Sequence, residues 1–136
     1  MGQITIGALA KEARVNLQTI RYYEREGLIA EPPRTSSGYR MFSPDLVGRV
    51  RFVKRAQELG FSLAEIKELL ALRVDGKAGC ADIRQRTQIK IEDVKNKIRS
   101  LQAIKKALER LTATCNGTGP VSECPILENL DSNEFR

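Results

Sequence analysis

The sequence predicts a mainly α-helical chain, in which a winged helix-turn-helix domain precedes one long helix that requires a partner. Two observations come from the first third of the chain: a pair of short helical stretches joined by a tight turn, and a Pro- and Gly-containing segment after them. The third is the stretch from Ala81 to Thr112, which contains neither Gly nor Pro and repeats apolar residues at helical spacing.

The first two helices are predicted from apolar spacing and from residues that start and stop helices. Residues 6–13 have helical spacing, Asn16 is a good N-cap for a second helix from Leu17 to Glu26, and Gly27 ends that helix. In a helix-turn-helix, the second helix lies in the DNA major groove. An ordinary helical hairpin is the alternative.

The next segment is predicted to form a wing, followed by two further helices. Pro32-Pro33 excludes a helix, and Ser37-Gly38 between Arg34 and Arg40 suits a tight hairpin turn. Ser43 is expected to cap a third helix, with Pro44 as its first residue, that runs to about Leu59. A capping box predicts a fourth helix from Leu63 to about Arg73, and its core stripe is Leu63, Ile66, Leu69 and Leu70.

The long helix carries an apolar seam that follows a heptad-like spacing, formed by Ile91, Val94, Ile98, Leu101, Ile104, Leu108 and Leu111. A helix of this length would extend about 48 Å, which is too long for so small a domain to cover. A second copy of the chain is the predicted partner, and packing back onto its own domain is the alternative. The expected division is a DNA-binding domain at 1–74, a linker at 75–79, a dimerisation helix at 80–114 and a C-terminal segment at 115–136.

Composition argues against several classes of protein. The 136 residues contain no apolar run of membrane-spanning length and no signal-peptide core, so we expect a cytoplasmic protein without a membrane partner. There is no histidine, phosphate-binding loop, nucleophile elbow or paired-carboxylate motif, so we expect no enzyme. The net charge is +6, and positive charge is concentrated at 34–55, where six basic residues face one acidic residue.

Several motifs in order resemble the signature of MerR-type transcription regulators. They are Ile4 to Ala10, the run Thr19 to Ile29 (TIRYYEREGLI), Gly38-Tyr39-Arg40, and Arg49 to Ser62. The resemblance covers nearly the whole chain and implies a winged helix-turn-helix domain followed by a long antiparallel dimerisation helix. It also implies promoter DNA and RNA polymerase as partners.

The residues expected to contact DNA lie on the second helix, the wing and the third helix. Hydroxyl and guanidinium groups on the early turns of the second helix can reach bases or phosphates, and cations on the third helix can reach phosphates. By resemblance, the wing lies on the flanking backbone. The predicted contacts are Gln18, Thr19, Arg21, Tyr22, Tyr39, Arg40, Arg51 and Lys54.

Three cysteines are placed at the two ends of the long helix. Cys115 and Cys124 flank a turn-rich loop that can bring their thiols together, whereas about 50 Å of helix separates Cys80 from Cys115. In an antiparallel dimer, the start of one helix meets the end of the other. The predicted metal site therefore takes Cys80 from one subunit and Cys115 with Cys124 from its partner.

Thiolate-only ligation favours soft metal ions, and three sulfurs suit trigonal mercury(II). Within the resembling family, this spacing followed by Pro125-Ile126-Leu127 is similar to the mercuric-ion-responsive regulators of mercury resistance operons. The resemblance implies repression without metal and activation with mercury(II), through distortion of promoter DNA. A lead(II) or cadmium(II) sensor is the alternative within the family. Outside it, the alternatives are a constitutive architectural DNA-binding dimer and a cytoplasmic metal carrier.

Overall fold

The computed structural model describes residues 2–32, 38 and 40–132. The elements are β1 (Ile4–Thr5), α1 (Ile6–Ala13), α2 (Leu17–Arg25), β2 (Met41–Phe42), α3 (Leu46–Glu58), α4 (Leu63–Val74), α5 (Cys80–Ala113), a 3-10 turn (Val121–Glu123) and α6 (Pro125–Asp131). The mainly α fold with a helix-turn-helix and a long C-terminal helix is therefore confirmed. The chain divides into two compact units with their boundary between Thr87 and Gln88. The four predicted domain ranges stay a prediction.

The turn between α1 and α2 is fixed by side-chain caps at the start of each helix. Thr5 Oγ1 accepts a hydrogen bond from the amide of Ala8 at 3.1 Å, and Asn16 Oδ1 accepts one from the amide of Thr19 at 2.8 Å. Arg14, between the two helices, has a φ of 59°, in the left-handed region that ends α1. The Asn16 cap was predicted and is confirmed. These contacts fix where α1 starts and ends and where α2 starts.

A short antiparallel pairing joins the two strands of this unit, with Ile4 opposite Phe42 and Thr5 opposite Met41. It ties the residues before α3 back to the N-terminal end of α1. The predicted hairpin turn that includes Ser37, together with Arg34 and Tyr39, lies outside the described residues.

The first unit has one apolar core built from α1, α2, α3, α4 and β2. Its largest fully buried side chains are Tyr23, Phe42, Leu9, Ile20, Leu28, Ile29, Ile66, Val50 and Val53. Of the predicted stripe of α4, Ile66, Leu69 and Leu70 are buried, and Leu63 is half-buried against the core. The core holds α2 by its Ile20 and Tyr23 side and leaves the opposite side exposed.

The start of α3 differs from the prediction. The helix begins at Leu46, because Ser43 and Pro44 form a turn whose carbonyl groups accept from the amides of Leu46 and Val47 at 3.0 and 3.1 Å. These bonds close over three residues, so the first turn is tighter than an α-helix. The predicted capping box of α4 is present, with Ser62 and Glu65 bonding each other's amides.

Helix α5 extends over 34 residues, and most of its apolar seam is exposed. Ile91, Ile98, Leu101, Ile104 and Leu108 are between 49% and 64% exposed, whereas Leu111 is buried. A groove of about 660 Å³ runs along the same part of the helix and is lined by Leu101, Ile104, Lys105, Leu108, Glu109, Thr112 and Ala113. None of the described helices is long and apolar enough to span a membrane.

Candidate DNA-binding surface and candidate metal-binding cysteines

The exposed side of α2 carries polar and aromatic groups at its first turns. Gln18 and Arg21 are exposed, and the Tyr22 side chain is 38% exposed, with the Arg25 guanidinium 5.9 Å from its ring centroid. These three positions are among the predicted contacts, and their side chains lie at the protein surface.

Thr19 has a local structural role in addition to any contact with DNA. Its hydroxyl donates to Asn16 Oδ1 at 3.0 Å, and its amide donates to the same oxygen. Because the hydroxyl has one donor, Thr19 can offer DNA only its acceptor lone pairs while this bond persists. The side chain is half-buried at the N-terminus of α2.

Two neighbouring hollows lie beside the α1–α2 turn, and both are lined in part by α3. The first, of about 600 Å³, is lined by Arg14, Val15, Asn16, Thr19, Tyr22, Tyr23, Lys54 and Gln57. The second, of about 390 Å³, is lined by Ala13, Arg14, Arg51, Lys54, Arg55 and Glu58. Thr19, Tyr22 and Lys54 therefore share one hollow, and Lys54 and Arg51 share the next.

Arg51 and Lys54 also hold this surface in shape. Arg51 Nη2 donates to the carbonyl of Glu12 at 2.8 Å, and Lys54 Nζ donates to the carbonyl of Arg14 at 3.0 Å. Both bonds fix α3 to the end of α1. Because both acceptors are neutral carbonyl groups, neither bond neutralises the positive charge of Arg51 or Lys54.

Arg14 lines both hollows but was missed from the sequence. It is an exposed cation in the α1–α2 turn, and its left-handed φ places it at the junction of α1, α2 and α3. Nothing in the spacing of residues distinguishes it from any other surface arginine. A signal could have come only from its position two residues before the predicted cap of α2.

Arg40 lies apart from these hollows. Its Nη1 is 2.6 Å from Glu24 Oε2 and 3.3 Å from Glu31 Oε1, and its side chain is only 18% exposed. The predicted contact of Arg40 with DNA stays a prediction. The predicted contact of Tyr39 lies outside the described residues.

Tyr23 lines the first hollow but is a core residue that is only 2% exposed. Its hydroxyl donates to Gln57 Oε1 at 2.8 Å. Burial raises the pKa of Tyr23 above its ordinary value of 10.0, with smaller contributions in the same direction from the charges of Glu58 and Tyr22. The side chain is therefore neutral at physiological pH and supports α2 by packing.

The three cysteines are all free thiols. Cys80 is exposed at the first residue of α5, where the amide of Gly79 donates to Asp82 Oδ2 at 2.9 Å. This side-chain bond anchors the start of the helix.

Cys115 and Cys124 are half-buried at the two ends of a loop that joins α5 to α6. The Gly117 amide donates to Cys115 Sγ at 3.3 Å, and Asn116 Oδ1 accepts from both the amide and the hydroxyl of Thr118. Gly117 and Gly119 have φ of 83° and 97°, which glycine adopts without steric cost. The loop thus turns sharply between the two thiols.

Within the described part of a single chain, no group of three or more Cys, Asp or Glu side chains could hold a metal ion.

The helix-turn-helix, its exposed second helix and the cationic hollows beside it define a DNA-binding protein. The sequence matches the family described as "MerR HTH family regulatory protein" over residues 4–72, and the one described as "MerR, DNA binding" over residues 47–111. The chain belongs to the MerR family of transcriptional regulators and is not an enzyme.

Three similar proteins place the chain within that family. It is 49% identical over 125 residues to the mercuric resistance operon regulatory protein of Bacillus cereus, covering 92% of this chain and 95% of the relative. The mercury(II) complex of the dual-function regulator MerR from Bacillus megaterium MB1 is 42% identical, with a TM-score of 0.71 and coverage of 95% and 100%. The lead(II) complex of PbrR691 from Ralstonia metallidurans CH34 is 33% identical, with a TM-score of 0.82 and coverage of 93% and 98%.

Proposed function

We propose that the chain is a mercury(II)-responsive regulator that represses a mercury resistance promoter without the metal and activates it when mercury(II) binds. One observation carries the proposal: the chain has three free thiols, one at the start of α5 and two flanking the loop after it, and is 49% identical to a mercuric resistance operon regulatory protein. Three thiolates match the preference of mercury(II) for soft ligands in low coordination.

The site requires a dimer in which α5 pairs antiparallel with α5 of a second copy. The exposed apolar seam supports such pairing, because about half of the surface of most seam side chains would otherwise remain in water. At about 1.5 Å per residue, the 34 residues of α5 extend about 50 Å, so Cys80 of one subunit would meet Cys115 and Cys124 of the other. Each dimer would then contain two sites.

DNA binding would use both copies of the exposed face of α2 and of the cations beside it. Gln18, Arg21 and Tyr22 are accessible for base or phosphate contacts, and Arg51 and Lys54 for phosphates. Thr19, Tyr39 and Arg40 remain proposed contacts. The metal would act by favouring one dimer conformation, in which the DNA is bent and untwisted so that RNA polymerase can use the promoter.

A lead(II) or cadmium(II) sensor is the second candidate, and its specific support is the fold similarity to the lead(II) complex of PbrR691. A constitutive architectural dimer would need none of the three thiols. The decisive experiment is a promoter reporter titrated with mercury(II), lead(II), cadmium(II) and zinc(II) in cells that express this chain.

We expect induction at a lower concentration of mercury(II) than of any other metal. Induction by lead(II) or cadmium(II) at a lower concentration would replace the mercury assignment with the second candidate. Expression that no metal changes would favour the architectural dimer.

A further inference from the structure

Arg14 has a backbone conformation that an arginine adopts only at a cost. Its φ of 59° and ψ of 44° lie in the left-handed region, where the Cβ of an L-residue comes too close to the following carbonyl oxygen. Every other described residue with a positive φ is a glycine. A glycine would end α1 in the same way without this cost. A strained residue of this kind calls for a role of its side chain that offsets the strain.

The main chain of Arg14 is held on both sides, whereas its side chain is not. Its amide donates to the carbonyl of Lys11 at 3.2 Å, and its carbonyl accepts from Lys54 Nζ at 3.0 Å. Within the described part of the chain, no ion pair or hydrogen bond engages the exposed guanidinium. The strained conformation is therefore not explained by a contact of this side chain within the protein.

The surroundings of Arg14 are cationic. Arg14 and Lys54 line both hollows beside the α1–α2 turn. No acidic residue is among the described residues that line the first hollow, and Glu58 in the second is paired with Arg55 at 3.4 Å. Two like charges along one hollow repel each other when no counter-ion is present, and an anion bound between them would remove that repulsion.

The remaining residues of the first hollow indicate which anion fits it. Thr19 and Tyr22 line this hollow and belong to α2, so it opens beside the helix that we propose to bind DNA. Its volume of about 600 Å³ leaves room for a phosphodiester group. A guanidinium is a planar fork that binds phosphate oxygens through two hydrogen bonds, and an ammonium adds a point charge.

We infer that Arg14 and Lys54 together bind one backbone phosphate of the DNA, next to the groove that α2 enters. The inference rests on the proposed DNA-binding role of α2 and adds Arg14 to its contacts. A phosphate contact fixes the position of the protein on the duplex and carries no sequence information. The contact with DNA offsets the strain at Arg14, which brings no contact of its side chain in the protein alone.

Arg14→Ala tests the guanidinium alone, because alanine keeps a Cβ in the left-handed conformation. The probe is a duplex that the wild-type dimer enriches from random sequences, and fluorescence anisotropy measures its binding over a series of salt concentrations. We expect affinity at fixed salt to fall at least about 10-fold. The slope of log K against log salt should become less steep by about 1.8, since each phosphate contact contributes about 0.9 and the dimer has two copies.

The loss should not depend on DNA sequence. Arg14→Ala should weaken binding to a duplex of unrelated sequence by a similar factor, because the contact is to the backbone. A loss confined to the enriched duplex would mean that Arg14 reads bases, and it would overturn the phosphate site.

Arg14→Gly should reduce binding as Arg14→Ala does and have a different effect on stability. Because glycine has no Cβ, we expect its Tm to rise by about 2 °C, whereas Arg14→Ala should show no such rise. Weaker DNA binding by a more stable protein cannot result from unfolding. A lower Tm for Arg14→Gly would show that the arginine is retained for folding and would overturn the inference.

Lys77→Gln is the matched control for net charge. It removes one positive charge from the same unit at a position that lines neither hollow, so it should leave the salt slope unchanged. Wild-type affinity and slope for Arg14→Ala, or an equal loss for Lys77→Gln, would overturn the phosphate contact and leave the DNA-binding role of α2 intact. A wild-type dimer that enriches no duplex would overturn that role, and the phosphate contact with it.

Discussion

Tyr23 is a buried residue of α2 whose hydroxyl makes one hydrogen bond and has a raised pKa. Its hydroxyl donates to Gln57, so Tyr23→Phe should lower the free energy of unfolding by about 1 kcal/mol at neutral pH. Urea unfolding of the wild type and the variant measures this difference.

The difference should also depend on pH. Because burial raises the pKa of Tyr23, the folded state holds its proton more tightly than the unfolded state. The stability that this proton contributes is complete below the ordinary pKa of 10.0 and is lost as pH rises through the raised value. The advantage of the wild type over Tyr23→Phe should therefore shrink above about pH 10, and a constant difference from pH 7 to pH 11 would contradict this account.

At the scale of residues, interactions between residues close in the sequence could be predicted, and those between residues far apart in the sequence could not. The Asn16 cap and the capping box at Ser62 could be predicted, because both partners lie within three residues of each other. The contact between Arg40 and Glu24 spans 16 positions, and the bond from Lys54 to Arg14 spans 40. Such pairs depend on how the helices pack. The ion pair of Arg40 with Glu24 and the position of Arg14 beside α3 could therefore not be predicted from the sequence.

The capping box of α4 predicts a measurable contribution to stability. Ser62→Ala removes the acceptor for the amide of Glu65, and we expect the free energy of unfolding to fall by about 1 kcal/mol. Ser100→Ala, at an exposed position inside α5, is the matched control and should not lower stability, because alanine is the better helix former there. Equal losses for the two variants would show that the cap contributes nothing.

The seam of α5 predicts how the chain associates. Ile98 is 49% exposed in the single chain, and pairing with a second α5 would bury it. Ile98→Glu should therefore weaken the dimer strongly while leaving the fold of the first unit intact, because a charge without a partner at a buried seam is costly. Sedimentation of the variant measures the dimer, and circular dichroism measures the fold.

Lys97→Gln is the matched control, because it makes the same change of net charge at the neighbouring position, outside the predicted seam. It should sediment as the wild type does. A dimer that survives Ile98→Glu would exclude the proposed pairing of α5.

Elements were predicted more accurately than their ends. Helix α5 follows directly from a stretch without Gly or Pro, and its observed limits at Cys80 and Ala113 lie close to the prediction. The start of α3 was placed too early, because the sequence signal at Ser43 and Pro44 also fits the tight turn that precedes the helix. A tight turn and the first turn of an α-helix both give these amide groups hydrogen-bond acceptors. The residue types at Ser43 and Pro44 therefore do not decide where the helix begins.

At the scale of the whole molecule, the proposed metal site is a property of the dimer. Cys80→Ala and Cys115→Ala subunits each lack one ligand in every site of their own homodimers. When the two are co-expressed, a heterodimer should contain one intact site, built from Cys80 of one subunit and Cys115 with Cys124 of the other. With random assembly of equal amounts, tight mercury(II) binding should recover to about a quarter of the wild-type stoichiometry.

Co-expression of Cys115→Ala with Cys124→Ala is the matched control. In that heterodimer every site still lacks one loop thiol, because both changes affect the same half of the site, so tight binding should not return. Equilibrium dialysis against a competing small thiol measures bound mercury(II) for each mixture. Recovery in the control, or no recovery with Cys80→Ala and Cys115→Ala, would mean that the ligands do not divide between subunits as proposed. The expected pattern requires the ends of two α5 helices to meet, so it tests the antiparallel pairing and the metal site together.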